Sequence, residues 1–406
     1  MIGGTCSPHM TRWSRLNAMT DLDVVANVVA NVVAKSAHGQ PIPEPTDAPR
    51  AQAHALLLAW YASAGRDLPW RHSRDPYAIL VSEVMLQQTQ VERVLPKYRE
   101  FLRLFPTLAD LAATPAADVI RAWSPLGYNV RAVRLREIAR QVVANHGGAL
   151  PQTLDGLLSL KGIGRYTAGA IACFAFGVPV ATVDTNIHRV LWRIFRGVEP
   201  EQWPTGQSAA REHLALAEWA LPAERAYDWQ QALMDLGATI CVSRQPACER
   251  CPVARTCAAY AEVAHVALFP NGEALAQLRA ARAAQPEAAT ASSGQRVAEH
   301  QAGYDAGDSK TPSRVLRRRG TSIGQAHMPF TQSSRYFRGR VLAALRALDD
   351  GASLSIDELG PLVKPGWTPS DHAWLRTLVR GLARDGLVST TENAEGGSED
   401  PRVALP

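Results

Sequence analysis

The chain has 406 residues, 46% hydrophobic and 20% charged, which predicts two or three domains with substantial cores and excludes a wholly disordered chain. No run of about 18 apolar residues is present, so no membrane-spanning helix and no membrane partner is expected. The net charge is +5, and only Lys35, Lys97, Lys161, Lys310 and Lys364 are lysines, so nearly all the positive charge is arginine; this suits nucleic acid and fits a GC-rich coding bias equally well.

Residues 1–50 read as a disordered leader ending in the proline-rich QPIPEPTDAPR. Its apolar run VVANVVANVVA (24–34) is short, contains Asn27 and Asn31 and lacks a clean cleavage site, so it carries no assigned function and the protein is expected in the cytoplasm, at the bacterial nucleoid. From about Ala51 to residue 263 the pattern is helical, punctuated by Pro and Gly, with no convincing strand. AQAHALLLAWYASAG is one helix. DPYAILVSEVMLQQTQVERVL is a second, with Asp75 as N-cap and Pro76 at the first helical position. More helices are expected at about 97–104, 115–124 and 129–146. Glu83 sits inside the apolar part of the second helix. It reads either as a salt-bridged structural residue or as a general acid whose pKa is raised by desolvation.

The stretch TLDGLLSLKGIGRYTAGAIACFAFG (153–177) reads as helix, glycine turn, helix. Gly162 and Gly164 can take positive φ and leave backbone N–H groups bare at a helix N-terminus, which makes a sequence-independent phosphate site. Cys173 in its second helix reads as a buried hydrophobe. Asp184 follows in VDTNIHRV and could be a plain helix N-cap, while His188, one turn on, reads as surface or DNA-facing.

Cys241, Cys248, Cys251 and Cys257 fall in CVSRQPACERCPVARTC at intervals of six, two and five residues, with only Cys6 and Cys173 elsewhere. Four thiolates in one short window suit a soft metal centre: zinc or a 4Fe–4S cluster, with two disulfides as a third reading. Zinc sites usually pair two CxxC knuckles, and one CxxC flanked by single cysteines fits an iron–sulfur loop better. Arg244, Arg250 and Arg255 lie between and beside these cysteines.

Residues 264–328 shift to Ala, Gln, Glu, Ser and Gly and read as a flexible linker that carries Arg317, Arg318 and Arg319. Residues 329–406 read as a small winged-helix-like domain: helices in RYFRGRVLAALRAL, IDELGPLV and DHAWLRTLVRGLARDG, then short strands in LVSTT and RVALP. Leu375, Leu378, Val379 and Leu382 form the buried stripe of the third helix, and Arg376, Arg380 and Arg384 give it one basic face.

LPWR (68–71), SEVMLQQTQV (82–91), LGY (126–128), the hairpin, VDTN, MDLGA (234–238) and the cysteine spacing together resemble the MutY-type adenine DNA glycosylases of the endonuclease III superfamily. The resemblance covers roughly residues 51–263 and implies an all-α, two-lobed helix-hairpin-helix core: a six-helix lobe (75–185) and an iron–sulfur lobe (51–74 and 186–263). It implies a 4Fe–4S cluster on the four cysteines. Its substrate would be double-stranded DNA with mismatched or oxidised pairs, bound by a monomer, with adenine excised opposite 8-oxoguanine or guanine. By the same resemblance Glu83 protonates the adenine, Asp184 stabilises the oxocarbenium-like sugar, and Asn186 and Tyr166 orient these carboxylates. Arg71 and Leu86 belong to the base pocket, Gln88 and Tyr128 wedge into the stack, and Gly162 and Gly164 hold backbone phosphate. Tyr166 stands where the lyase enzymes carry a nucleophilic lysine, which implies a monofunctional glycosylase; Lys161 lies before the turn and does not replace it. Asn129 departs from the second aromatic often found after the LGY tyrosine. No Nudix-like domain is recognisable after the core. A thymine glycosylase for T·G mismatches and a non-catalytic iron–sulfur DNA-binding regulator are the alternatives.

Overall fold

The computed structural model describes residues 47–197, 206–267, 330–391 and 401–406, with side chains of 263–267 not described. The expected leader before residue 47 and most of the expected linker, including Arg317, Arg318 and Arg319, lie outside the described residues. The chain divides into two compact units. The first takes residues 47–66 and 179–267, the second 67–178 and 330–406.

Helix α1 (Asp47–Ala64) starts four residues before the expected boundary at Ala51, because Arg50 is already anchored: it pairs with Asp47 at 2.7 Å and donates to the Trp219 carbonyl at 3.0 Å. In the second unit come α2 (Pro76–Leu86), α3 (Val91–Leu104), α4 (Leu108–Ala113), α5 (Ala116–Trp123), α6 (Val130–His146), α7 (Leu154–Leu158) and α8 (Arg165–Phe174). Asp75 caps α2 through a 3.0 Å bond from the Tyr77 N–H, with Pro76 at the first helical position. The long helix expected from Asp75 through VERVL is in fact two. It stops at Leu86, turns through residues 87–90 and restarts as α3, which continues past Pro96 to Leu104. No residue of QQTQ is itself a helix breaker; the turn is imposed by a side chain from α6, described below. Helix α4, missed in the sequence, is short and set off by a reciprocal capping box between Thr107 and Asp110.

Back in the first unit, α9 (Thr185–Phe195), α10 (Gln207–Trp219), α11 (Ala226–Thr239) and α12 (Ala258–Ala267) close around α1. Leu57, Ile187, Val190, Trp229, Leu233 and Leu236 are fully or almost fully buried in its core, which also takes Val253 and, partly, Cys241 and Cys251 from the cysteine loop. Burial of each large apolar side chain contributes about 1.5–3 kcal/mol, which is what holds α1 to helices more than a hundred residues away in sequence.

The C-terminal segment folds as α13 (Ser334–Arg346), α14 (Ile356–Val363), α15 (His372–Arg384), then β1 (Ser389–Thr390) and β2 (Val403–Ala404). The strands are antiparallel, with Ser389 opposite Ala404 and Thr390 opposite Val403. Leu354 also bridges Val403, a third strand contact that the sequence did not announce. Leu375, Leu378, Val379 and Leu382 are buried, while Arg380 and Arg384 face solvent and Arg376 is half-buried. Gly360 has no substitute: the indole of Trp367 occupies the place a Cβ would take.

This segment does not hang free of the helical lobe in its unit. Ile120 of α5 is part of the tail's own core, and Val133 of α6 packs against it. The Ala117 N–H donates to the Pro406 carbonyl at 2.9 Å. Arg121 pairs with Asp350 at 2.6 Å, and Arg346 donates to Ser124 Oγ at 3.4 Å.

Candidate active site

In the first unit Asp184 is the N-cap of α9. Its Oδ1 accepts from the N–H groups of Asn186 (3.0 Å) and Ile187 (2.7 Å), and its Oδ2 from the Asn186 carboxamide at 3.0 Å. Both carboxylate oxygens are thus fixed, and the negative charge lies at the positive end of the helix dipole. The approach to Asp184 is braced as well. Gln230 of α11 accepts from the Thr182 N–H at 2.7 Å and from its hydroxyl, and donates to the Val180 carbonyl at 3.1 Å. The MDLGA glycine has a packing reason. A Cβ on Gly237 would come within 3.1 Å of Asn186 Cβ and 3.2 Å of Val190, so α11 can approach α9 this closely only without one.

His188 is half-buried. Its ring stacks on His213 of α10 with centroids 3.5 Å apart and meets the edge of Trp192, and burial, with His213 and Arg189 adding, pushes its pKa down to about 4. It is an uncharged packing residue at neutral pH. Cys173 is buried, as expected.

The same helix reaches the cysteine loop. Arg189 donates to the carbonyls of Gly237 (2.9 Å) and Cys241 (3.0 Å). Arg193 donates to Val242 (2.8 Å) and Ser243 (3.0 Å) and lies 3.5 Å from Cys241 Sγ, while the Arg193 carbonyl accepts from Cys257 Sγ at 3.1 Å. All four cysteines are free thiols, which removes the disulfide reading. They line one cavity of about 280 Å³ with Arg193, Pro246 and Tyr260. Among the described residues no group of three or more His, Cys, Asp and Glu is drawn together as around a single ion. Burial pushes the Cys251 thiol up to about 11 and Cys257 up to about 12. These two thiols ionise more readily beside a compensating positive charge, as a metal centre would supply, and four cysteine sulfurs are a donor set suited to one. Arg244, Arg250 and Arg255 are exposed around the cavity.

In the second unit Glu83 is buried in α2, 7% exposed. Leu86 ends that helix, and Arg71 ends the short 3-10 turn Pro69–Arg71. Tyr166 lies in the first turn of α8, which packs on α2. Of the two hairpin glycines only Gly162 takes positive φ (105°), with a would-be Cβ 2.9 Å from Arg134; Gly164 is extended at φ −91° and caps α8 without a side-chain bond. Gln141 of α6 grips the turn by both backbone groups of Lys161, at 2.9 and 3.1 Å.

Two residues named as wedges, Gln88 (φ 57°) and Tyr128 (φ 48°), are the non-glycine residues with positive φ among the described residues. Such backbone costs about 1 kcal/mol or more each and persists only where the surroundings enforce it. The enforcer is Arg131, a residue the sequence reading passed over. It is 4% exposed. Its Nη1 donates to the carbonyls of Val84 (3.0 Å), Met85 (2.8 Å) and Gln87 (2.5 Å). Its Nη2 donates to Thr89 Oγ1 (2.9 Å), Gly127 (3.0 Å) and, more weakly, Leu126 (3.5 Å). One guanidinium thus caps α2, forms the 87–90 turn and ties it to the LGY turn. Burial lowers its pKa only to about 10, so it keeps its charge at neutral pH. A signal was present: Arg131 lies on the buried stripe of Leu135, Ile138, Ala139 and Val142, and a charge on an apolar stripe is seldom idle.

The first unit thus holds a capped aspartate and a four-cysteine loop, and the second a glycine hairpin and a buried glutamate. Residues 81–210 match the family of HhH-GPD superfamily base excision DNA repair proteins. The chain is 42% identical over 214 residues to an adenine DNA glycosylase of Mycobacterium tuberculosis, covering 52% of this chain and 69% of that protein. To the human adenine DNA glycosylase it is 42% identical over 225 residues, 53% of this chain and 41% of that protein. To a thymine/uracil-DNA glycosylase of Methanothermobacter thermautotrophicus it is 36% identical over 207 residues, 51% of this chain and 92% of that protein. A solved thermostable thymine-DNA glycosylase is similar at 33% identity, covering 53% of this chain and 97% of that one with a TM-score of 0.47. The chain belongs to the HhH-GPD superfamily of base excision DNA repair proteins. Within it, adenine DNA glycosylases stand among its relatives. No helix among the described residues is long and apolar enough to cross a membrane.

Proposed function

We propose that this chain is a monofunctional adenine DNA N-glycosylase, acting as a monomer on adenine paired with 8-oxoguanine or guanine in duplex DNA. The observation that carries the reading is the Asp184 carboxylate, held by three N–H donors with Asn186 as its side-chain partner. The adenine leaves the stack to be reached, helped by Gln88 and Tyr128, and enters a pocket that includes Arg71 and Leu86. Glu83 gives its proton to N7, the bond from the sugar C1′ to N9 breaks with its electron pair going to the base, and Asp184 stabilises the cationic sugar until water adds at C1′ and returns a proton to the Glu83 carboxylate. Tyr166 orients the carboxylates; with no lysine at that position, no Schiff base forms and the DNA strand stays intact. The bare N-terminus of α8, with Gly162 and Gly164, and the arginines of the cysteine loop take backbone phosphates.

Cys241, Cys248, Cys251 and Cys257 would hold a 4Fe–4S cluster, whose role here is to fix the loop against α9. One CxxC flanked by single cysteines, without a second knuckle, supports the cluster over zinc. Elemental analysis of purified protein is expected to give iron and sulfide; zinc without iron would refute this assignment.

A second reading, thymine removal from T·G pairs, is favoured by the match to nearly the whole length of the archaeal thymine/uracil-DNA glycosylase. Duplexes carrying A·8-oxoguanine, A·G and T·G decide between them. Alkali-dependent breaks are expected at adenine, with little covalent complex trapped by borohydride. Breaks confined to T·G would overturn the adenine reading, and abundant trapping would overturn monofunctionality.

A further inference from the structure

Tyr128 is 37% exposed. Its carbonyl accepts from the Arg131 N–H at 2.9 Å, and the Arg131 guanidinium, which donates to the carbonyl of the preceding Gly127, lies 5.6 Å from the ring centroid. A second, closer cation comes from elsewhere in the sequence. Arg335, in the first turn of α13, places its guanidinium carbon 4.1 Å from the Tyr128 centroid. That contact rests on a docked body. The tail shares a core with Ile120 and Val133, and is fastened to α5 by Ala117 with Pro406, and by Arg121 with Asp350. Arg335 is itself exposed, and beside it Tyr336 packs edge-on to the solvent-facing ring of Phe330 at 5.8 Å. Cations interleaved with aromatic faces at an exposed edge are what a strand of nucleic acid stacks on.

We propose that the C-terminal domain completes the wedge of the glycosylase lobe: Arg335 is a positioning residue that holds the Tyr128 ring for insertion into the DNA stack. The inference rests on the reading of Tyr128 as a wedge given under Proposed function. Arg131 and the Trp123 indole N–H hold the turn at the Gly127 carbonyl beneath Tyr128, and the ring, which must enter the duplex, needs separate restraint. Arg335 supplies it while leaving the outer part of the ring exposed. The tail thereby acts on base extrusion without supplying any group to the chemistry.

The test uses the full chain as wild type, Arg335→Ala, Arg335→Lys, Tyr128→Ala and the double variant. Three measurements are made: a 19F resonance from fluorotyrosine at position 128, the fluorescence of a 2-aminopurine replacing the target adenine, and single-turnover excision. Arg335→Ala is expected to shift the 19F line in free protein, to lower the 2-aminopurine rise, and to slow excision by roughly 2–5-fold, about what one exposed cation–π contact is worth. Arg335→Lys, which keeps a cation at the ring, should recover most of the loss. In the Tyr128→Ala background Arg335→Ala should have no further effect, since the two residues act as one unit. An unmoved 19F line, or losses that multiply independently in the double variant, would overturn the proposal. If the wild type excises no base from any duplex, the functional reading falls, and the 19F and 2-aminopurine measurements still decide the role of Arg335.

Discussion

Asp184→Asn is expected to abolish excision while leaving the fold intact. Asparagine caps helices as well as aspartate does, and its carbonyl oxygen can still accept from the Asn186 and Ile187 N–H groups that Oδ1 serves now. The second oxygen is different. The Asn186 carboxamide, which now donates to Oδ2, would face an NH2 group, and the negative charge would be gone. Thermal stability should change by less than about 1 kcal/mol. Single-turnover excision on A·8-oxoguanine should fall by roughly three orders of magnitude, the scale on which loss of preorganised charge stabilisation is felt. Asp184→Ala would lose both cap and charge and so cannot separate them. Retention of more than a tenth of the wild-type rate by Asp184→Asn would show that the aspartate is only a cap.

The second large effect is structural. Arg131→Ala should destabilise the second unit by about 3–5 kcal/mol, because the carbonyls of Val84, Met85, Gln87 and Gly127 lose a buried charged donor together. Arg131→Lys should recover only part of this, since one ammonium has three donors and cannot fork between two turns. Unfolding by denaturant measures the loss. Excision by either variant at low temperature, where the protein remains folded, should still fall, because Gln88 and Tyr128 lose the restraint on their left-handed backbone. A stability change below about 1 kcal/mol for Arg131→Ala would contradict the role given to it.

Candidate site residues stood out in this sequence more than the geometry around them did. Glu83 and Asp184 are visible because a carboxylate in an apolar helix and a cap residue before NIHRV are anomalies or signals at the local scale. The cysteine spacing is equally local. What could not be read is set by partners distant in sequence. The break after Leu86 has no breaker in QQTQ; it exists because Arg131, 44 residues beyond Gln87, takes that carbonyl. Likewise α13 shows an apolar stripe, yet nothing in that stripe says that it shares a core with Ile120. The hairpin was half legible: glycine permits positive φ at two sites, and only Gly162 needs it, since Arg134 crowds that one. The stacking of His188 on His213 was hidden for the same reason, its partner being supplied by a helix whose packing no local pattern fixes.

The first unit is discontinuous, and time enters through that. Arg50 bonds to Trp219 across a separation of 169 residues. At about 5–20 residues per second of synthesis, α1 emerges roughly 10–30 seconds before the helices that cover Leu57 exist. Throughout that interval its apolar face is available to chaperones or to another nascent chain, while the second unit's helices α2–α8 are already being made. Yield of this protein in cells should therefore respond to elongation rate and chaperone supply more than its final stability would suggest.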